Sequence, residues 1–336
     1  MFFKKRERST RGGVLGIFRL FLSLVIMFIL GLGLLQAYRS FSGIDPLTIN
    51  PKSLVKNIFT SDSIYKLVTS LLSVNPTLQI SDAKKILGPS KDKVAVKTNT
   101  LFKFAVITDS HTDYQNLSKA LQQAKLSGAK FVVGLGDFSD VGTLSELQET
   151  KSAFDLAGLP YYITAGDHDL WDSRDKKSPP EENFKKVFGS PYQSFAFENT
   201  RIILVYDSDN YFGLDLMQLN WLEQELETMK LQPYKQQFIF TSIPLYHPSS
   251  DHIIGKTNPK LKDQADHLIS IFQKNGIEEV IAGDTHLFSR YTEPNTGMKM
   301  TTVGAVTSSR NPQAPRFAIV DIFDDGSYNI EDVEIK

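Results

Sequence analysis

The chain has 336 residues, of which 41% are hydrophobic and 22% are charged, and this length and composition fit about two globular units. Its 37 basic and 38 acidic side chains nearly cancel, so no net field favours binding to nucleic acid or to an acidic polymer. Because the sequence contains no cysteine, disulfides, thiolate zinc sites, iron–sulfur clusters and cysteine nucleophiles are excluded, and His, Asp and Glu remain as strong metal ligands.

The first element in chain order is an apolar stretch at residues 14–38, within which residues 20–35 carry no charge. A helix over this stretch rises roughly 37 Å, which is enough to cross a hydrocarbon core of about 30 Å. The segment before it, residues 1–13, is rich in basic side chains, namely Lys4, Lys5, Arg6, Arg8 and Arg11. Because positive flanks stay on the cytoplasmic side, we expect a single-pass transmembrane helix in the cell membrane, with the N-terminus cytoplasmic and the remaining chain extracytoplasmic.

A cleaved signal peptide is the alternative interpretation of the same stretch. The apolar run is longer than the roughly 7 to 15 residues usual in a signal peptide, and Leu35-Gln36-Ala37 is a poor cleavage site. The sequence therefore favours an uncleaved signal anchor, and a mature N-terminus near Tyr38 would contradict it.

Residues 39–100 are polar and are interrupted by Pro46, Pro51, Pro76 and Pro89. Short periodic stretches, such as residues 63–72, indicate one or two small helices, so we expect a stalk or linker here. The charged stretch at residues 91–100 predicts a boundary before the main domain, residues 101–336.

In the main domain, short apolar runs alternate with amphipathic stretches at the spacing of βα units. The runs are continuous rather than alternating, so they are expected to form strands buried on both faces. The predicted strands are residues 102–108, 131–135, 161–165, 201–206, 237–240 and 279–282. The predicted helices are residues 113–126, 143–157, 214–230 and 261–274. Turn sequences after residue 290 predict antiparallel strands at the end of this α/β domain.

Aspartate and histidine follow four of these predicted strands directly. The segments are Asp109-Ser-His111, Gly136-Asp137, Gly166-Asp167-His168-Asp169 and Gly283-Asp284-Thr-His286. In an open α/β sheet, ligands bind beyond the carboxyl ends of the strands, so we expect the four loops to meet at one sheet edge. Carboxylate oxygens and imidazole nitrogens gathered there suit one or two divalent cations. A purely structural interpretation stays open for Asp113, Asp137 and Asp140, because Asp is also a common N-cap of helices.

In order and spacing, these segments resemble the motifs D-x-H, G-D, G-N-H-D/E and G-H-x-H of the calcineurin-like metallophosphoesterases, which include the purple acid phosphatases. The resemblance runs from residue 102 to the C-terminus. It extends to residues 218–223, whose sequence QLNWLE is similar to a helix that the family often has before its fourth motif. The resemblance implies a layered αββα sandwich of mixed sheets.

The resemblance also implies a reaction and the residues that perform it. In the family, two metal ions share a bridging aspartate, which corresponds to Asp137, and an activated hydroxide attacks phosphorus in line. Carried over residue by residue, the ligands of the first metal are Asp109, His111, Asp137 and His286. His168 corresponds to the catalytic histidine that stabilises or protonates the leaving group. Asp169 is then expected to orient that histidine and to stabilise its charged form.

The ligands of the second metal depart from the family. Asp167 stands where the family has Asn, Asp284 stands where it has His, and Ser242-Ile-Pro-Leu245 replaces H-x-P-L. Oxygen ligands favour hard cations such as Mg²⁺, Mn²⁺ or Ca²⁺, while the two added charges repel an anionic ester. Motif residues do not distinguish Mn, Fe, Zn, Mg and Ca, or one ion from two. His247 is a candidate replacement ligand, although a plain His-Pro turn is the simpler interpretation.

Two functions of different class fit these residues. The first is a membrane-anchored, extracytoplasmic phosphoesterase that hydrolyses a phosphomonoester or a phosphodiester substrate. The second is a catalytically degenerate, metal-containing binding module of the cell envelope, for which the altered second half is the motive. Nucleotide-cradling glycine loops and serine hydrolase elbows are not supported, because G-x-x-x-x-G-K-[ST] and G-x-S-x-G do not occur and no predicted strand is followed by G-x-G-x-x-G.

Overall fold

The structure, a computed structural model, describes residues 99–232 and 234–336. The predicted cytoplasmic tail, the predicted transmembrane helix at residues 14–38 and nearly all of the predicted stalk lie outside the described residues. In the part of the chain that the structure describes, no helix is both long and apolar enough to cross a membrane.

The secondary structure follows the predicted order closely. The strands are β1 (Thr100–Ile107), β2 (Ala129–Gly134), β3 (Tyr161–Ile163), β4 (Gln193–Phe197), β5 (Thr200–Leu204), β6 (Gln236–Thr241), β7 (Glu279–Ala282), β8 (Ser289–Thr292), β9 (Lys299–Thr302), β10 (Arg316–Phe323) and β11 (Tyr328–Glu334). The α-helices are α1 (Tyr114–Leu126), α2 (Leu144–Ala157), α3 (Trp171–Asp175), α4 (Glu182–Phe188), α5 (Leu216–Leu231) and α6 (Leu261–Lys274). Asp113 caps α1, because its side chain accepts a hydrogen bond from the backbone nitrogen of Asn116.

The strands form two sheets, and each sheet mixes parallel with antiparallel neighbours. The first sheet has the order β11-β10-β1-β2-β3, in which β1, β2 and β3 are parallel and β10 is antiparallel to β1. The second sheet has the order β4-β5-β6-β7-β9-β8, in which β5, β6, β7 and β9 are parallel. The chain ends in the antiparallel pairs β8–β9 and β10–β11. The predicted α/β fold with mixed sheets is confirmed.

Apolar layers hold the sheets and helices together. Phenylalanine rings fill the layer between the sheets, where Phe104 of β1 stacks on Phe131 of β2 at 4.9 Å between ring centroids and lies 6.1 Å from Phe240 of β6. The other face of the first sheet is covered by α1, α2 and α4, through side chains such as Leu117. The other face of the second sheet is covered by α5 and α6, through side chains such as Phe272. Burial of each such side chain stabilises this αββα sandwich by about 2 kcal/mol.

The prediction that four strand ends meet at the edge of one sheet is wrong in one respect. β1, β2 and β3 belong to the first sheet, whereas β7 belongs to the second. An apolar run shows that a strand is buried but not which strand it pairs with. The mixed QSFAF sequence also concealed β4, which pairs antiparallel with β5 at the edge of the second sheet. The strand ends of the two sheets still meet, because the backbone nitrogen of Asp284 donates to Asp109 Oδ2 at 3.2 Å.

Candidate metal centre

The strand-end loops have an unusual backbone conformation. Of the nine non-glycine residues with positive φ in the described part of the chain, five are predicted metal ligands, with values between 41° and 62°. They are Asp109, His111, Asp137, Asp284 and His286. Such a conformation costs about 1–3 kcal/mol for each residue and is concentrated at functional sites in proteins. Backbone hydrogen bonds between the loops stabilise this conformation. For example, the backbone nitrogen of Asp109 donates to the carbonyl oxygen of Gly136 at 3.0 Å.

The first ligand group is Asp109, His111 and His286, whose donor atoms all lie within 4.8 Å of one another. His286 Nε2 is 3.1 Å from His111 Nε2 and 3.6 Å from Asp109 Oδ1. His286 Nδ1 is 2.9 Å from the carbonyl oxygen of Arg310. Since a carbonyl only accepts, Nδ1 carries the proton of the neutral ring and the lone pair of Nε2 faces the group. Asp109 Oδ1 is buried without a hydrogen-bond partner among the described residues, which leaves it free for a cation.

The second ligand group is Asp137, Asp167 and Asp284, whose donor atoms also lie within 4.8 Å of one another. It contains only carboxylates, and Asp167 and Asp284 are the two that depart from the motifs. Asn210 Nδ2 donates to Asp167 Oδ2 at 3.4 Å, and His252 Nδ1 is 3.5 Å from Asp284 Oδ2. By distance, Asp137 groups with these carboxylates rather than with the first group, and its role as a bridge stays a prediction.

Two glycines allow the loops of the second group to approach each other. A Cβ on Gly166 would lie 2.0 Å from Asp137 Oδ1, and a Cβ on Gly136 would lie 2.1 Å from the nitrogen of Gly166. Gly136 also has a φ of 92°, which side chains disfavour. In this space, Asp137 Oδ1 accepts a hydrogen bond from His168 N at 3.0 Å. Both glycines are therefore required for the position of the Asp137 carboxylate.

Burial of like charges dominates the electrostatics of the two groups. Burial raises the pKa of Asp109 to about 7, and burial together with the neighbouring Asp167 raises the pKa of Asp137 well above its usual value. Burial also lowers the pKa of His111 to about 3, so its imidazole is neutral. Neutral imidazoles and carboxylates are the ligand forms that a divalent cation needs, and the cation would compensate the buried negative charge. The residues present therefore fit metal ions.

His168 faces the same site from a 3₁₀ turn, His168–Leu170, that follows β3. Its Nδ1 is 2.7 Å from the carbonyl oxygen of Asp140, so Nδ1 carries a proton and Nε2 is the nitrogen available for chemistry. The ring stacks on Trp171 at 3.9 Å between centroids and lies 4.6 Å from the ring of His111. A backbone carbonyl and an indole thus set the orientation of this imidazole.

Asp169 has a different role from the one predicted. Its Oδ1 accepts hydrogen bonds from Ser139 N at 3.0 Å and Ser139 Oγ at 2.6 Å, and its Oδ2 accepts one from Gly166 N at 2.9 Å. The prediction that Asp169 orients the His168 ring is therefore wrong, because neighbouring residues of a tight turn project in different directions. The buried carboxylate instead ties the loop after β2 to the loop after β3, and these loops carry two ligands of the second group.

His247, the candidate replacement ligand, belongs to neither ligand group. Its Nε2 is 3.0 Å from Ser289 Oγ, and its Nδ1 accepts hydrogen bonds from the backbone nitrogens of Ser249 and Ser250 at 3.2 and 2.8 Å. Both ring nitrogens thus have hydrogen-bond partners, Nδ1 within the turn and Nε2 on strand β8. The geometry supports the plain-turn interpretation.

Asp207 is a buried carboxylate that the family motifs do not include, and it is hydrogen-bonded to the backbone of Ser242. Its Oδ1 accepts hydrogen bonds from Ser242 N at 2.8 Å and Ile243 N at 3.2 Å, while its Oδ2 is buried without a partner among the described residues. Burial raises the pKa of Asp207 to about 8. The signal was present in the sequence, since Asp207 follows a predicted strand just as the predicted ligands do.

Members of both ligand groups and His168 line one cavity of about 660 Å³. Other lining residues were not predicted, namely His252, Thr285, Ser308, Arg310, Asn311 and Pro312. The side chain of His252 is 67% exposed, and it lies beside Asp284 at the cavity. Apart from Thr285, which lies between Asp284 and His286, no motif marks these residues, because they arrive on loops that do not directly follow a predicted strand.

Comparison with known proteins identifies the family. Residues 102–288, more than half of the chain, match the family model of the calcineurin-like phosphoesterases. The chain belongs to the calcineurin-like phosphoesterase family. This confirms the predicted family. Members of the family bind divalent metal ions, and the clusters that include Asp109 and Asp137 could hold such ions here. No match to the chain was found among curated proteins.

Solved structures are similar to this chain at low sequence identity. A purple acid phosphatase from seeds of yellow lupin, Lupinus luteus, superposes with a TM-score of 0.53 at 14% identity, over 69% of this chain and 51% of the lupin chain. The chain thus spans about half the length of that relative. The anchor in the inner membrane complex of Plasmodium gives a TM-score of 0.47 at 15% identity, over 71% of this chain and 90% of its own. The protein TT1561 of Thermus thermophilus gives a TM-score of 0.46 at 11% identity, over 70% of this chain and 100% of the TT1561 chain.

Proposed function

We propose that this chain is a metal-dependent phosphoesterase that hydrolyses a phosphomonoester or a phosphodiester. One observation carries the proposal: members of both ligand groups and His168, a residue suited to proton transfer, line the same cavity. Family membership supports a hydrolase, and phosphoester cleavage is the reaction that this combination of groups suits.

The chemistry divides between bound cations and side chains. Divalent cations, when bound by the two ligand groups, would supply Lewis-acid stabilisation of the phosphoryl oxygens and lower the pKa of a water molecule. As water oxygen bonds to phosphorus, the ester P–O bond breaks and the leaving oxygen needs a proton. Protonated His168 keeps its Nδ1–H on the Asp140 carbonyl and presents Nε2–H to that oxygen, so it acts as the general acid.

The two ligand groups differ in the ions that they favour. Two imidazoles and one carboxylate, as in the first group, suit Fe, Zn or Mn. Three carboxylates, as in the second group, suit hard cations such as Mg²⁺, Mn²⁺ or Ca²⁺. We propose that each group holds one cation.

The proposal includes a location outside the cytoplasmic membrane. It is supported by the apolar length of residues 14–38 and by the excess of basic side chains before them. In cells that express the full chain, protease added outside should digest the domain at residues 101–336 while the membrane stays intact. Protection of this domain from external protease would contradict the location.

A direct test of the reaction compares the full chain with two histidine variants. Loaded with Mn²⁺, Fe or Zn²⁺, the full chain should hydrolyse p-nitrophenyl phosphate or bis(p-nitrophenyl) phosphate. His168→Asn should lower kcat by about 10²- to 10⁴-fold without loss of bound metal, because it removes only the proton donor. His267→Asn, on the exposed face of α6, is the matched control and should change neither kcat nor the amount of bound metal. Absence of turnover with every metal and both esters would contradict the proposal.

A metal-containing binding module is the second candidate, and the substitution of carboxylates at Asp167 and Asp284 favours it. These charges repel an anionic ester if no second cation binds beside them. One tightly bound ion and no turnover would support the binding module. Two bound ions and turnover would support the enzyme.

A further inference from the structure

His252 is a histidine outside the motifs that lies beside the second ligand group. It lines a cavity of about 260 Å³ together with Asp167 and Asp284, the two carboxylates that depart from the motifs. It also lines the cavity of about 660 Å³ together with Asp137, the third carboxylate of the group. Each carboxylate of the second group therefore shares a cavity with this one imidazole.

We propose that His252 supplies its Nδ1 atom as a further ligand of the cation in the second group. The proposal rests on the proposed function, which gives each group one cation, and it adds the residue that completes the second site. Three observations support it: the distance between His252 and Asp284, the way in which the loop is held, and the imidazole that the motif segments lack.

The distance between His252 and Asp284 matches a distance within the first ligand group. His252 Nδ1 lies 3.5 Å from Asp284 Oδ2, and His286 Nε2 lies 3.6 Å from Asp109 Oδ1. Charge-assisted hydrogen bonds between nitrogen and oxygen are shorter, at about 2.7–2.9 Å. Two ligands of one tetrahedral ion, each about 2.1 Å from it, lie about 3.4 Å apart. Both pairs therefore have the separation of two ligands that share an ion.

The backbone next to His252 is held, whereas its side chain is largely exposed. Ile254, two residues later, is buried, and its nitrogen donates to the carbonyl oxygen of Pro244 at 3.0 Å. His252 adjoins the second group at Asp284 but is not among the donors that lie within 4.8 Å of one another. Ligation therefore needs a rotation of the exposed ring toward the carboxylates, which the fixed backbone keeps within reach.

The loop that carries His252 begins at the segment where an imidazole is missing. Ser242-Ile-Pro-Leu245 stands in place of H-x-P-L, so position 242 offers a hydroxyl where the family motif has a histidine. Ser242 is buried, and its backbone nitrogen donates to Asp207. His252 follows ten residues later and brings an imidazole to Asp284. Three carboxylates and one imidazole give the second group four protein ligands, the number of a tetrahedral site.

An imidazole ligand changes the ion that the second group favours. Imidazole nitrogen suits Zn²⁺ and other transition-metal ions, whereas Mg²⁺ and Ca²⁺ prefer oxygen ligands. In the full chain carrying Asp109→Asn, which removes the carboxylate of the first group, His252→Gln should lower the affinity for Zn²⁺ by about tenfold or more and change the affinity for Mg²⁺ by less than about twofold. His267→Gln, at an exposed histidine of α6, is the matched control and should change neither affinity. Equal losses of Zn²⁺ and Mg²⁺ affinity would contradict a nitrogen ligand.

Pulsed EPR of bound Mn²⁺ tests the ligation directly, because a nitrogen bonded to the ion modulates the electron spin echo. The protein is again the full chain carrying Asp109→Asn, at saturating Mn²⁺. We expect a nitrogen modulation in this variant, its loss when His252→Gln is added, and its retention when His267→Gln is added instead. Elemental analysis counts the bound Mn²⁺ in the same samples.

The outcomes separate the ligation from the proposed function. Bound Mn²⁺ without a nitrogen modulation, or with a modulation that survives His252→Gln, would overturn the ligation by His252 and leave the proposed function intact. An Asp109→Asn chain that binds no Mn²⁺ would overturn the cation of the second group and the ligation with it. Absence of ester hydrolysis by the metal-loaded wild-type chain would contradict only the proposed function, because the EPR signal does not depend on turnover.

Discussion

The two ligand groups lie side by side and differ in one chemical respect. The first joins one carboxylate to two imidazoles, whereas the second joins three carboxylates. The groups are physically connected, because Asp284 N donates to Asp109 Oδ2 at 3.2 Å. Both are built from strand-end loops of the same sandwich, so the backbone alone does not select the ion. The difference predicts that the side chains at Asp167 and Asp284 determine which cation the second group would bind.

Removing the carboxylate of Asp137 should produce the largest effect. Asp137→Ala deletes a donor of the second group from a buried position beside Gly166. We expect loss of at least one bound cation and a fall in kcat/KM on the order of 10³-fold or more, because the remaining carboxylates cannot hold the ion. Metal analysis and hydrolysis assays on the same preparation measure both quantities. Retention of full metal content and activity would show that Asp137 is not a ligand.

Converting the second group to the family pattern should sharpen the comparison. In the double variant Asp167→Asn/Asp284→His, an amide and an imidazole replace two carboxylates, and His is among the residues that tolerate the φ of 62° at position 284. We expect the affinity for Zn²⁺ relative to Mg²⁺ to rise by about tenfold or more at this group. Competitive metal titration measures the ratio. An unchanged ratio would mean that these two side chains do not determine the ion.

The raised carboxyl pKa values predict how the metal-free protein responds to pH. Burial raises the pKa of Asp109 to about 7 and that of Asp207 to about 8, well above the usual value of 3.8, so the folded state binds protons more tightly than the unfolded state. Unfolding free energy therefore falls as the pH rises through these values. The lowered pKa of His111 has the opposite effect on stability, but an unfolded His titrates near about 6.5, so above that pH its contribution is small and fades as the pH rises.

We expect the Tm of the metal-free chain to fall by about 5 °C or more between roughly pH 6.5 and pH 8.5. Saturating Mn²⁺ should reduce the fall but not abolish it, because bound cations would neutralise the carboxylates of the ligand groups, whereas Asp207 belongs to neither group. Calorimetry with and without the metal measures both curves. A metal-free Tm that stays constant or rises over this range would contradict the electrostatic description.

The hydrogen bond between Ser139 and Asp169 should give the smallest effect. Ser139→Ala removes the Oγ donor at 2.6 Å but keeps the backbone donor at 3.0 Å. We expect a loss of about 1–3 kcal/mol in unfolding free energy and unchanged metal content, because Asp169 positions loops rather than binding an ion. Ser152→Ala, at an exposed hydroxyl of α2, is the control. Loss of metal from the Ser139→Ala variant but not from the Ser152→Ala control would contradict this and indicate that Asp169 contributes to metal binding.

Local patterns were enough to predict most of the elements and the strand-end ligands. Continuous apolar runs mark buried strands, and helix α6 has the bounds that its periodicity predicts. The ligands could be found because each directly follows a strand, a position where function concentrates in α/β folds. The same rule, applied to the strand that became β5, would also have identified Asp207.

Other features depend on long-range contacts that no local pattern contains. The division of strands between two sheets is set by pairing, such as that of β1 with β10. The partner of Asp169 is Ser139, thirty residues away along the chain, and the spacing of the motif does not reveal it. Similarly, His252 and Arg310 reach the cavity on loops whose path depends on the packed sandwich.

The most direct test of the two ligand groups is the metal content of the full chain and of two isosteric variants, Asp109→Asn and Asp284→Asn. Each variant removes a carboxylate oxygen from one group and leaves the other group intact. Equilibrium dialysis followed by elemental analysis should find two divalent cations per wild-type chain and one in each variant. A wild-type chain that binds one ion or none would contradict a paired metal centre at this end of the sandwich.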